Sequence, residues 1–192
     1  TRDDKRDFNK NFKDYFFKHV NEIDNPLAII GQTRLPMIGN NHYNENISPV
    51  ETEEIIGVHN GNIIFDTLNL QNLEFSEKSD TKILYEKITK IFLDNNDYEK
   101  KILEYLMLLE GDFSIVFLLK KVNKIYLSSN TGSLYYQNNL GDKNDILFFT
   151  SEKFYLKKFL QKSNLNSGRN YDIQNIKKKM LCIENNSLRE VL

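Results

Sequence analysis

The sequence predicts an α+β domain. Three observations carry this: short apolar runs of strand length come in blocks, two amphipathic helical segments sit side by side between those blocks, and no internal repeat breaks the order. Blocks of strands with helices in pairs imply two sheets sandwiched between helical layers.

The elements follow in order. Residues 7–21 carry Phe8, Phe12, Tyr15, Phe16 and Val20 at helical spacing, and Asp24-Asn25-Pro26 stops that segment. Residues 27–31 form a short, fully apolar run that reads as a strand. Residues 32–48 are too polar and irregular for a regular element, with a turn at Gly39-Asn40-Asn41. Residues 55–59 read as a strand, Asn60-Gly61 as a tight turn, and 62–65 as the strand returning from it. Residues 81–92 place Ile83, Leu84, Ile88, Ile91 and Phe92 on one side of a helix, with Asp80 in the N-cap position. A second helix covers 98–109, and Gly111 ends it.

Strands follow at 113–119, 124–127, 134–137 and 146–150, the first two joined by a turn at Val122-Asn123. Ser151-Glu152 begins a short helix that runs through Leu160. Residues 161–170 read as an exposed loop and 179–183 as a late strand.

Bulk properties narrow the function classes. At 192 residues the chain forms one domain, with at most a small extension, and can bury a proper core. A formal net charge of −1 gives no reason to expect a nucleic-acid partner. No apolar run approaches the roughly 20 residues that span a bilayer, and the first ten residues lack a signal peptide's apolar core. The lone Cys182 excludes an internal disulfide framework and fits a reducing, cytoplasmic setting. Asparagine is plentiful and tryptophan absent, a bias that an AT-rich coding sequence produces, so the paired asparagines read as loop filler.

Three segments carry the chemistry. Arg34 follows Gly31-Gln32-Thr33 at the end of an apolar run; it is either a surface arginine or a guanidinium placed to grip a carboxylate in bidentate fashion. His59-Asn60-Gly61 is either a plain hairpin turn or a place where the Asn60 amide and the Gly61 N–H address one oxygen. Asp80 is either a helix cap or an acceptor for a substrate ammonium, and the two roles are compatible. His19 and His42 have no partners at metal-ligand spacing. His59 reads as a packed or turn-stabilising histidine rather than a base, and Cys182, inside Met180-Leu181-Cys182-Ile183, as core rather than nucleophile.

Taken together, the runs IIGQTRLP, NISP, VHNG, SDTKIL, LEGDFSIVFL, NTGSLYY and FFTSEKFYL resemble, in that order, the class II glutamine amidotransferase domain. The similarity covers about residues 28–159, with 180–191 as a terminal strand. The resemblance implies a four-layer αββα N-terminal-nucleophile hydrolase sandwich of two antiparallel sheets. It implies that Arg34 binds the glutamine α-carboxylate and Asp80 its α-amine, with Asn60 and Gly61 forming the oxyanion hole. Asn46 and Pro49 match an Asn-x-x-Pro element that supports the site, beside Thr33 and His59.

The sequence departs from the family at Gln32, where the synthases carry histidine, and at Leu35, where one carries tryptophan. The family's Cys-Gly-Ile start and first strand are also not among these residues, so residues 1–192 read as one N-terminally incomplete glutaminase domain. The expected function is release of ammonia from glutamine and its delivery to a synthase domain or partner, without metal or cofactor. A non-catalytic glutamine-binding or scaffolding relative is the alternative. A third reading, with Thr1 as a self-processed nucleophile, meets a solvated run at residues 2–7 where a buried strand is needed.

Overall fold

Ten residues of one strand set the architecture. Phe113, Ile115, Phe117 and Leu119 alternate with Ser114 and Val116, and both sets are buried, so this strand lies between two layers. The computed structural model describes residues 28–32, 48–64, 79–139, 146–162 and 172–192. Within them the strands are β1 (Val50–Glu51), β2 (Ile55–Ile64), β3 (Glu110–Leu119), β4 (Lys124–Ser129), β5 (Tyr135–Asn139), β6 (Ile146–Thr150), β7 (Gln174–Asn175), β8 (Lys179–Glu184) and β9 (Ser187–Glu190). The helices are α1 (Asp80–Asp94), α2 (Tyr98–Leu108) and α3 (Lys153–Lys162), with a 3₁₀ turn at Lys120–Val122.

Every strand pairing is antiparallel. One sheet runs β1-β2-β3-β4-β8-β9 and the other β6-β5-β7. The first sheet presents Ile55, Ile63, Phe113, Ile115, Phe117, Tyr126, Met180 and Cys182 to Leu84, Tyr85 and Ile88 of α1 and to Ile102 and Leu106 of α2. Its other face presents Val58, Val116, Leu127 and Leu181 to Leu134 and Tyr136 at the second sheet, with Ile176 closing the layer. Helix α3 buries Leu156 and Leu160 beneath the second sheet, and its Phe159 meets Phe148 of β6 edge to face. Helices, sheet, sheet and helix make the four layers that the resemblance implies. No helix among the described residues is long and apolar enough to cross a membrane.

Several expectations change. Ala28 to Gln32 holds no strand. Asn60-Gly61 is not a turn: β2 runs straight through it and pairs with β3 from Ile55↔Leu119 to Ile64↔Glu110. Helix α2 stops at Leu108, and Gly111 lies inside β3 rather than closing the helix. Ser79, not Asp80, caps α1, since its hydroxyl accepts from Lys82 N–H; Asp80 occupies the first turn. The readings at 7–21 and 39–41, with His19 and His42, lie outside the described residues.

Candidate functional site at the outer edge of β2

Strand β1 covers β2 only at Ile56 and Gly57, so from Val58 onward no strand flanks the outer edge of β2 among the described residues. Successive residues of a strand aim their backbone groups to alternate sides. Thr52 N–H donates to Ile55 C=O, which directs the odd-numbered residues of β2 outward. Two of those outward groups are taken by side chains: Gln32 Nε2 donates to His59 C=O, and Ile63 N–H donates to Asp80 Oδ2 at 3.3 Å. Gly61 lies between them with the same parity, so its N–H faces the open edge.

The Asn60 side chain stands on the face toward the second sheet, and it is exposed. There the register aligns two rows. Val58, Val116, Leu127 and Leu181 form an apolar row across four strands, and Asn60, Ser114 and Ser129 form the next row outward. Ser114 Oγ donates to Ser129 Oγ at 2.9 Å. Beyond the end of β4, Asn130 continues the ladder with its side chain, accepting from Phe113 N–H and donating to Gly111 C=O. The intersheet core therefore gives way to a polar margin at Asn60.

On the opposite face β2 is tied to the start of α1. Asp80 is buried, and its Oδ1 accepts from Thr81 N–H at 2.8 Å and from Thr81 Oγ at 3.3 Å. His59 Nδ1 lies 3.0 Å from the same Thr81 hydroxyl and 3.6 Å from Asp80 Oδ2. The Thr81 hydroxyl thus links the His59 ring to the Asp80 carboxylate, which accepts from it. The carboxylate in the first turn also meets the favourable end of the helix dipole.

Sequence reasoning singled out eight site residues. The structure brings His59, Asn60, Gly61 and Asp80 together, and it sets Pro49 immediately before β1 after a cis Ser48–Pro49 bond. Thr33, Arg34 and Asn46 lie outside the described residues. Cys182 is fully buried on β8, and burial pushes its thiol up, so it is a core residue. Among the described residues no three His, Cys, Asp or Glu side chains gather as a metal site would need.

Two residues at the site escaped sequence reasoning. Gln32 holds the His59 carbonyl, and Tyr85 donates its hydroxyl to Val58 C=O at 2.7 Å. A glycine inside a strand, Gly57, was the available signal for the second, because it marks a close approach.

A side-chain amide and an outward N–H on consecutive residues, at a polar margin beside a buried carboxylate, can hydrogen-bond an oxyanion. Two solved structures share the architecture that carries this arrangement. One is glutamine phosphoribosylpyrophosphate amidotransferase from B. subtilis complexed with ADP and GMP: TM-score 0.54, 17% identity, 78% of this chain and 32% of that one. The other, the allosteric regulatory enzyme of purine biosynthesis, gives a TM-score of 0.53 and 18% identity over 77% of this chain and 31% of that one. The likeness is one of fold, two antiparallel sheets layered between helices. The chain spans about a third of the length of these two structures. No protein-family model and no curated protein sequence matches it.

Proposed function

We propose that this chain is the glutaminase domain of a class II glutamine amidotransferase. It hydrolyses the glutamine side-chain amide to glutamate and ammonia, and ammonia passes to a synthase domain or subunit. The observation that carries the reading is the outward Gly61 N–H beside Asn60, on a strand tied to the buried Asp80, within the amidotransferase fold.

In this reading Arg34 grips the α-carboxylate and Asp80 the α-ammonium, while Thr33, Asn46, Pro49 and His59 support them. The reading calls for a cysteine nucleophile ahead of Thr1. Its α-amino group takes the thiol proton, the thiolate attacks the glutamine Cδ, and the carbonyl electron pair moves onto oxygen, where the Asn60 amide and the Gly61 N–H hydrogen-bond it. Collapse of the adduct breaks the C–N bond, and the leaving nitrogen takes a proton from the nucleophile's own α-amino group to depart as ammonia. Water then hydrolyses the thioester to glutamate and restores the thiol. No step needs a metal or cofactor.

One observation favours a second reading, a non-catalytic glutamine-binding or scaffolding domain. Both Asp80 oxygens already accept internal hydrogen bonds, from Thr81 and from Ile63 N–H. Substitution of Arg34 separates the two. In the full-length protein Arg34→Ala raises KM for glutamine roughly ten- to a hundredfold, the value of a charge-assisted hydrogen bond. Hydrolysis equal to wild type in that variant means that the carboxylate clamp is elsewhere. Glutamine binding without turnover in the wild type selects the second reading.

A further inference from the structure

We propose that Tyr85, seated in a notch left by Gly57, is a positioning residue for the Asn60–Gly61 donors. The inference rests on the functional reading above. Gly57, Phe117, Tyr126 and Cys182 form one row across β2, β3, β4 and β8. Phe117 and Tyr126 stack with centroids 5.2 Å apart, and Tyr85 leans on Phe117 at 5.9 Å. A Cβ at residue 57 would stand 2.6 Å from both Cζ and Oη of Tyr85 and 2.7 Å from the Phe117 Cβ. The Tyr85 ring therefore occupies the space that any side chain at residue 57 would need.

Packing alone does not explain the pair. Glycine weakens a strand interior, and a buried hydroxyl is costly unless it finds a partner. An alanine facing an aliphatic residue would avoid both costs. Here the ring is fully buried, and its hydroxyl reaches Val58 C=O, two residues before Asn60. Burial holds the phenol well above its ordinary pKa, so it stays a neutral donor.

That carbonyl already belongs to the ladder with β3, through the Val58↔Val116 pairing. A second bond, to its other lone pair, fixes the peptide plane from the helix side. This matters because, among the described residues, β3 is the one strand that flanks β2 at Asn60 and Gly61, and side chains of Gln32 and Asp80 meet its outer edge there. Tyr85 thus sets the plane from which the chain continues through His59 to the Asn60 amide and the Gly61 N–H. Misplacement of such donors costs rate rather than substrate affinity.

The test is Tyr85→Phe, which keeps the ring in its notch and removes only the hydroxyl. In full-length protein we expect kcat for glutamine hydrolysis to fall about tenfold with KM within about twofold. In amide spectra of the same variant, the Asn60 and Gly61 resonances shift, while Leu127 and Leu181 stay put. The control is Tyr126→Phe, which deletes a buried hydroxyl from the same row, one bonded to Glu99. It lowers stability and leaves kcat alone. Wild-type kcat and an unmoved Gly61 N–H in folded Tyr85→Phe overturn the proposal. Equal kcat losses in both variants also overturn it, because they report a generic core defect. Wild-type protein inert toward glutamine overturns the functional reading instead, and the catalytic role of Tyr85 goes with it.

Discussion

A Cβ added at Gly61 would stand 2.0 Å from the Asp112 carbonyl oxygen, on a residue whose φ of +134° already disfavours side chains. Asn60, beside it, is exposed. The neighbours therefore separate fold from chemistry. Gly61→Ala adds backbone strain to a clash with a neighbouring strand and costs about 2–5 kcal/mol, read as a lower urea midpoint with activity lost alongside. Asn60→Ala leaves the midpoint within about 0.5 kcal/mol of wild type yet lowers kcat by about 10²–10³ if its amide is an oxyanion donor. A normal kcat in folded Asn60→Ala removes Asn60 from the mechanism. The same residue pair shows where local sequence chemistry misleads. Asn-Gly is the commonest hairpin turn, and periodicity offers no sign that β2 continues. Its continuation depends on β3 approaching a residue that lacks a Cβ, a tertiary fact.

At the scale of elements, Glu99 in the first turn of α2 fastens the helix layer to the far edge of the six-stranded sheet. Its carboxylate accepts from Arg189 of β9 at 2.7 Å on both oxygens, from Tyr126 of β4 at 2.7 Å and from Lys124 at 3.3 Å. Burial pushes the Glu99 carboxyl up, but the Arg189 and Tyr126 hydrogen bonds and the Arg189 and Lys124 charges outweigh it and hold it below the ordinary 4.5. A carboxyl depressed in the folded state stabilises above its unfolded pKa, and that share disappears as pH falls through the folded value. Glu99→Gln should lower stability at neutral pH by about 1–2 kcal/mol, discounted because the Arg189 side chain is 41% exposed. Urea midpoints of the two proteins should converge as the solution is acidified below about pH 4.5. A constant gap down to about pH 3 shows that the carboxylate's charge contributes nothing.

The elements in this cluster were legible to different degrees. The apolar periods of α1, α2, β3, β4 and β8 are long enough to read, and all five stand close to where the pattern put them. The two-residue strands β1 and β7 are too short for any period, and β7 exists only because β5 offers it an edge. Ser79 and Asp80 both suit a helix start. Only Asp80's pull toward Ile63 N–H decides which of them caps the helix.

For the whole molecule, the polar margin at Asn60 opens where the core between the sheets ends, and Asp80 ties β2 to the start of α1, so in the proposed reading a bound glutamine meets both layers. Binding across two layers stabilises the native state and not the unfolded chain. At a glutamine concentration 100 times Kd the gain is about 2.7 kcal/mol. A chain of this size gains roughly 2–4 °C in Tm per kcal/mol, so saturating glutamine should raise Tm by roughly 5–10 °C. Arg34→Ala should flatten the response, because it deletes the proposed carboxylate clamp. Asn60→Ala should keep most of it, since an oxyanion donor acts chiefly on the transition state. The order of these three responses separates a glutaminase from a scaffold. A Tm indifferent to glutamine in every protein leaves the sandwich as a support for a partner. A shift lost in Arg34→Ala and retained in Asn60→Ala ties recognition to the clamp and reserves the β2 edge for the reaction.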